Sequence, residues 1–80
     1  MKHLNIFRIL GEAKKLASSK EVSLLDLTLG DITSSLLSDG RVYLFGNETS
    51  REAITIITEE DRLKLIYTHD VIYEDVVFVV

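Results

Sequence analysis

The hydrophobic and polar positions divide the chain into a helical first half and a β-rich second half. In residues 3–18 the apolar side chains recur at the i, i+4, i+7 and i+11 spacing of one helix face, and charged side chains fall mostly on the other side. The positions that carry this stripe are Ile6, Leu10, Ala13 and Ala17. The same spacing returns in residues 23–38, at Leu25, Leu29, Ile32 and Leu36. The pattern predicts at least two amphipathic helices.

Two signals for a helix start compete in the second of these segments. Ser23 with Asp26, and Thr28 with Asp31, both have the spacing of a capping box, in which a hydroxyl and a carboxylate bond each other's backbone amides. One helix broken near Gly30, and a short helix followed by a longer one over 29–38, both fit. Residues 22–29 also fit a strand, and the sequence leaves that alternative open.

After Gly40, which suits the left-handed position behind a helix, the pattern changes to strands. Short runs of β-branched and aromatic residues are separated by turns of three to about seven residues, so the strands are expected to pair as antiparallel neighbours in a meander. The predicted strands are 41–45, 53–58, 62–68 and 71–80. Thr49 and Glu52 form a third capping signal, which leaves a helix over residues 51–58 as the alternative to the second strand.

The last strand ends on a continuous apolar run, Val76–Val80. A continuous apolar strand needs cover on both faces. The expected fold is α+β, with two or three N-terminal helices packed on one face of a four-stranded antiparallel sheet. Those helices cover one face only, so the other face, with Tyr43, Phe45, Ile66 and alternate residues of the run, is expected to present an apolar patch of the kind that marks an interface.

Composition limits what else the chain contains. Eighty residues form one domain, with a helical part at about 1–39 and a sheet part at about 41–80. The absence of Cys excludes disulfides and thiolate metal sites. Apolar runs of five or fewer residues are too short to cross a membrane. Without Cys or a signal-like N-terminus, the sequence predicts a cytoplasmic protein with no cofactor and no metal.

The net charge of −4 is concentrated in the second half of the chain. Residues 1–40 have as many basic as acidic side chains, whereas residues 41–80 have four basic and eight acidic ones. The excess lies at Glu59–Asp61 and at Asp70, Glu74 and Asp75. Acids beside an apolar strand protect against aggregation, and an acidic surface repels phosphate backbones, so nucleic acid is not the expected partner.

No residue pattern supports catalysis. His69 and Asp70 form the single adjacent His–carboxylate pair, but no nucleophile accompanies them in a recognisable motif. The acids at 59–61 lack the spacing of a calcium loop, and the four glycines form no phosphate-binding pattern. The sequence therefore predicts a non-enzyme with no evident small-molecule substrate.

The leading hypothesis is a small acidic inhibitor or adaptor that binds another protein, or a second copy of itself as a homo-oligomer, through the C-terminal sheet. The residues expected to make that contact are Tyr43, Phe45, Tyr73, Glu74, Asp75, Val77, Phe78 and Val79. The alternative hypothesis is a winged-helix DNA-binding regulator, with residues 28–38 as the recognition helix and 41–58 as the wing. Against it, that helix has no Lys or Arg to contact phosphates.

Overall fold

The computed structural model describes the backbone of residues 2–3, 6–76 and 78–79, and the side chains of residues 6–76. Its helices and strands follow the order strand, two helices, five strands. They are β1 (Lys2–His3), α1 (Ile6–Lys20), α2 (Leu29–Asp39), β2 (Arg41–Phe45), β3 (Ile54–Glu59), β4 (Arg62–Tyr67), β5 (Asp70–Val76) and β6 (Phe78–Val79). The α+β class, the helical first half and the antiparallel meander are confirmed, with two helices.

Four strands form the main sheet in the order β2-β3-β4-β5, and every neighbouring pair is antiparallel. The connections between β3 and β4 and between β4 and β5 are two-residue turns, at Glu60–Asp61 and Thr68–His69. Glu60 and Thr68 adopt positive φ angles of 58° and 59°, which tight hairpin turns require. Two-residue connections are too short to reach any other position, so each strand pairs with the one before it.

Both helices pack on the same face of this sheet. Helix α1 lies over β4 and β5, and α2 lies over β2 and β3. One core joins them to the sheet. Its buried members are Ile6, Ile9, Ala13, Leu16 and Ala17 from α1, Ile32 and Leu36 from α2, and Val42, Leu44, Ile54, Ile56, Leu63 and Leu65 from the strands. In α1 the stripe that the sequence shows is therefore the face that packs on the sheet. In the second segment only Ile32 and Leu36 of the stripe are buried. Leu29 is 42% exposed, and Leu25, at 53%, precedes the helix, so that half of the predicted stripe is wrong.

Helix α2 begins at the second of the two competing capping signals. The Thr28 hydroxyl accepts a hydrogen bond from the Asp31 amide at 3.0 Å, and the Asp31 carboxylate accepts one from the Thr28 amide at 3.4 Å. Gly40 ends the helix with a φ of 71° and donates its amide to the Leu36 carbonyl at 3.1 Å. The helix thus has both of its ends fixed by its own sequence.

Residues 22–28 form neither the helix nor the strand that the sequence allowed. They run in an extended path that makes one strand-like bond to the sheet, from the Leu25 amide to the Leu44 carbonyl at 2.7 Å. Val22, Leu24 and Leu27 pack against the core. Residues 51–53 are irregular and β3 follows them, so the helix alternative for residues 51–58 is wrong.

The predicted last strand, 71–80, is divided in the structure. Strand β5 ends at Val76, and β6 pairs instead with β1 in a separate two-stranded sheet that joins Lys2 to Val79 and His3 to Phe78. Val77 and Val80 lie outside the described residues. The sequence did not predict this pairing, because two-residue strands have no periodicity of their own.

Candidate interaction surface on the sheet

The strand register separates two faces of the main sheet. Val42, Ile56 and Leu65 stand opposite one another and are buried under the helices. Because successive side chains of a strand point to opposite faces, their neighbours point away from the helices. We call this side the open face. It comprises Arg41 and Tyr43 of β2, Thr55, Ile57 and Glu59 of β3, Arg62, Lys64 and Ile66 of β4, and Val71, Glu74 and Val76 of β5.

One row of the open face crosses all four strands. Tyr43, Thr55, Ile66 and Val71 stand opposite one another in register. Tyr43 and Ile66 are half-buried, and Val71 is 50% exposed. Ile57 adds a second half-buried apolar side chain beside Tyr43 and Thr55. The centre of the open face therefore presents partly exposed apolar side chains around Thr55, which is buried at 6%, although no helix of the described chain packs on it.

The loop between β2 and β3 forms one wall beside this row. With the β4–β5 turn it borders an open depression of about 350 Å³ whose floor includes Tyr43, Thr55, Ile57 and Ile66. Hydrogen bonds to a single side chain give the loop its shape. The Asn47 carboxamide oxygen accepts from the Thr49 amide at 2.9 Å and from the Thr49 hydroxyl at 2.7 Å. Such an internally bonded loop presents a defined wall.

The loop also requires the glycine that starts it. Gly46 has a φ of 73°, and a Cβ at this position would stand 2.6 Å from the Glu52 carbonyl oxygen. Only a residue without a side chain fits that approach without a backbone shift. Gly46 therefore sets the position of the wall relative to the sheet.

The charged side chains on the open face are partly paired with each other. The Lys64 ammonium donates to the Glu59 carboxylate at 2.8 Å. This hydrogen bond lowers the pKa of Glu59 and raises the pKa of Lys64. Glu74 stands opposite Lys64 on β5 and also favours its charged form. Arg41 donates to the Tyr43 hydroxyl at 3.4 Å. The open face thus has an apolar centre with a mixed-charge border.

Strand β5 is one of the two edge strands of the main sheet, and among residues 6–76 no strand pairs with its outer edge. Ile72 has no partner in β4, because Leu65 stands opposite Tyr73 while Ile66 stands opposite Val71. This bulge leaves Ile72 50% exposed. Bulges and charges on an edge strand oppose indiscriminate pairing with other chains. The outer edge of β5 is therefore accessible, but its bulge and charges oppose pairing with other strands.

The structure divides the predicted contact residues between the two faces. Tyr43 and Glu74 lie on the open face. Tyr73 and Phe45 instead pack against the core. Asp75 also lies on the helix side: its carboxylate is 11% exposed and stands 3.5 Å from both the Arg8 guanidinium and the Tyr73 hydroxyl.

Phe45 departs from the expected face because the strand is irregular there. The sequence alternation assigns it to the same side as Tyr43, but the register shifts between Tyr43 and Phe45, so the alternation breaks at that point. The expectation that Phe45 lies on the second face is wrong for this reason. For Asp75 the pairing with Arg8 is a contact between residues 67 positions apart, which the local pattern does not contain.

The remaining predicted residues are at the C-terminal end. Val77 lies outside the described residues. Phe78 and Val79 are described by their backbone alone, in β6. Their part in an interface stays a prediction. The residues that the sequence reasoning omitted are Thr55, Ile57 and Val71, which share a surface with Tyr43 only through the register of β2, β3, β4 and β5.

The candidate chemical groups are dispersed in the described part of the chain. His69 and Asp70 are both exposed at the β4–β5 turn. Residues 6–76 bring no three His, Asp or Glu side chains together in an arrangement that holds a metal ion. Neither α1 nor α2 is long and apolar enough to cross a membrane.

Comparisons with known proteins return nothing: no family model, no curated protein and no solved structure matches this chain.

Proposed function

We propose that the chain is a small protein-interaction module, an inhibitor or adaptor without enzymatic activity, that binds a partner protein through its C-terminal sheet. The observation that carries this proposal is the row Tyr43–Thr55–Ile66–Val71, which crosses every strand of the main sheet on the side without helices. A sheet that already has a complete core under two helices gains nothing in stability from a second apolar face in water. Contact with another protein gives that face a use.

The form of the open face favours a protein segment as its ligand. Its apolar centre is bordered by Arg41, Glu59, Lys64 and Glu74, which matches the usual anatomy of an interface: an apolar middle and a polar rim. The depression beside it gives a side chain of the partner a place to insert. A cytoplasmic location remains part of this proposal.

Charge is a secondary contribution in this proposal. Of the acids near the last strand, Asp75 is held by Arg8, and Glu74 faces Lys64. We therefore expect binding to depend more on the apolar row than on salt concentration. The DNA-binding alternative gains no support, since the charged residues of α2 are Asp31 and Asp39.

The experiment that tests the proposal is affinity capture from the native host with three versions of the chain. The variant Ile66→Lys with Val71→Lys places two charges in the row, and both positions are accessible enough for a lysine to reach water. The control is Glu60→Lys with Asp61→Lys, which introduces two lysines at the exposed β3–β4 turn and changes the net charge by +4, against +2 for the row variant.

We expect a partner that the unchanged chain and the control retain and the row variant loses, with circular dichroism showing that all three versions are folded. The partner is then verified with purified components by calorimetry. Equal retention by all three versions would show that the open face is not the binding surface.

A further inference from the structure

The helical half of the chain divides into a basic and an acidic segment. Helix α1 has four basic residues (Arg8, Lys14, Lys15 and Lys20) and one acidic residue (Glu12), which gives it a net charge of +3. Residues 21–40, which comprise the connecting segment, α2 and Gly40, have four acidic residues (Glu21, Asp26, Asp31 and Asp39) and no basic residue, a net charge of −4. All of these except Glu12 are exposed residues. Within the chain, Arg8 pairs with Asp75, Lys15 pairs with Glu12, and Lys20 lies over Tyr67, so Lys14 and Lys15 are the basic residues of α1 that do not reach the sheet.

The two helices run antiparallel. Arg8, in the first turn of α1, contacts Asp75. Lys20, the last residue of α1, lies over Tyr67, with its nitrogen 4.5 Å from the ring centre. Helix α1 therefore runs in the direction of β4, because Asp75 stands opposite Leu63 near the start of that strand and Tyr67 is its end. Helix α2 runs the opposite way and ends at the β2 start, where Gly40 leads into Arg41.

The start of α1 and the end of α2 consequently lie over the same end of the sheet. Asp75 stands opposite Leu63, Leu63 stands opposite Thr58, and the Thr58 hydroxyl donates to the Leu36 carbonyl at 3.4 Å. This row connects Arg8 on one helix with Leu36 on the other. The neighbours of these two residues are Phe7 and Leu37.

Phe7 and Leu37 are the two most exposed large apolar side chains among those described, at 76% and 73%. A third feature lies one turn from Phe7 on the same outer side of α1. Gly11 is inside the helix, where glycine is less favourable than alanine, yet a Cβ there would meet nothing within 4 Å. Nothing within the described chain requires a residue that small at this place.

We propose that the outer side of the helix layer binds a second copy of this chain in a two-fold symmetric dimer, with α1 of each copy on α2 of the other. The two-fold axis runs parallel to the helices and passes between them. It places the basic α1 of each copy over the acidic α2 of the other. This contact occurs twice in the dimer, because a two-fold interface makes every contact in duplicate. A two-fold axis across the helices instead stacks α1 on α1, and the like charges repel.

The axis along the helices also aligns the apolar side chains. It preserves position along the layer, so Phe7 of one copy comes over Leu37 of the other, both at the same end. Lys14 and Lys15 come two turns further along α1, over the first turn of α2 with Asp31. Gly11 lies between the apolar contact and the charged one, where its lack of a side chain allows the helices to approach closely.

A charge exchange between two variants tests this arrangement. Lys14→Glu with Lys15→Glu changes the charge of α1 from +3 to −1, and Asp26→Lys with Asp39→Lys changes residues 21–40 from −4 to zero. Asp31 is left in place because it caps α2. We expect the unchanged chain to be dimeric by light scattering and sedimentation between about 10 µM and about 1 mM, and each variant alone to dimerise about tenfold or more weakly.

The mixture of the two variants is the decisive sample. In a mixed dimer, the unchanged residues 21–40 of the first variant meet the unchanged α1 of the second. We therefore expect mixed dimers to form more tightly than either variant does alone. The control Glu60→Lys with Asp61→Lys changes the net charge by the same amount as Asp26→Lys with Asp39→Lys does. Its substitutions lie away from the helices, so we expect it to leave dimerisation intact. Circular dichroism verifies the fold of each sample.

Two further variants distinguish a dimer through the helices from binding through the open face. Phe7→Ala with Leu37→Ala removes exposed side chains, leaves the monomer folded, and is expected to weaken the dimer about tenfold or more. The Ile66→Lys with Val71→Lys variant, which tests the open face, is expected to dimerise normally, so the two proposals fail independently. An unchanged chain that is monomeric up to about 1 mM, or a dimer that is equally strong in all these variants, would overturn the inference.

Discussion

At the scale of single residues, the contacts that matter most join positions that the local pattern does not relate. Lys64 and Glu59 pair across the β3–β4 hairpin at 2.8 Å, and the Tyr67 hydroxyl donates to the Glu52 carboxylate at 2.8 Å. The second bond raises the pKa of Tyr67, so the phenol keeps its proton. The first contact lies on the open face and the second on the helix side, and each shifts a titration that can be measured.

The Glu59 pair predicts a specific pH dependence. Because the Lys64 bond lowers the pKa of Glu59 in the folded chain below the ordinary 4.5, the pair stabilises the fold at pH values above 4.5 and loses this contribution as the pH falls below it. We expect the Glu59 titration, followed by NMR, to move upward in Lys64→Met. Arg51→Gln, which removes a positive charge from the loop before β3, is the control and leaves the Glu59 titration in place. A Glu59 titration that is identical in Lys64→Met and the unchanged chain would contradict the pairing.

At the scale of elements, the start of α2 shows how the structure selects between equivalent sequence signals. Ser23 and Thr28 each precede an Asp by three positions, but only Thr28 is followed by residues that bury a helical face, Ile32 and Leu36, against the sheet. The segment around Ser23 is drawn to the edge of β2 by the bond from Leu25 to Leu44. Packing therefore decides which capping box is used.

This selection predicts unequal effects of two similar substitutions. Thr28→Ala removes the hydroxyl that accepts from the Asp31 amide and is expected to lower the free energy of unfolding by about 1 kcal/mol. Ser23→Ala is the matched control and is expected to change it by less than about 0.5 kcal/mol, since Ser23 caps no helix. Urea denaturation measures both. Equal losses would mean that the Thr28 cap does not stabilise α2.

At the scale of the whole molecule, one core holds two layers together. The sheet contributes Ile54, Ile56, Leu63 and Leu65, each fully buried, at its centre. A chain this short buries a smaller fraction of its surface than a larger domain does and has little stability to spare. The same limit explains why the helix layer and the sheet each have an unused outer side: two layers make one core and leave two faces in water.

The central core position Leu65 gives the prediction at this scale. Leu65→Ala leaves a cavity between β4 and α1 and is expected to cost about 2–5 kcal/mol, enough to leave much of the chain unfolded. Ile72→Ala, on the bulge of β5 where the side chain is 50% exposed, is expected to cost about 1 kcal/mol or less. Thermal unfolding followed by circular dichroism compares them. A similar melting temperature for the two variants would mean that the core is not where the structure places it.

The sequence by itself determined the α+β class, the buried stripe of α1, the four main strands and their meander order. These follow from local periodicity and short connections, which act within a few residues of one another. Tertiary structure alone decided which capping box starts α2, which face Phe45 occupies and how the C-terminal run is divided. Tyr43, Thr55, Ile66 and Val71 become one surface only when the register is fixed. Register depends on pairing between distant segments, and a shift of one residue moves a side chain to the opposite face.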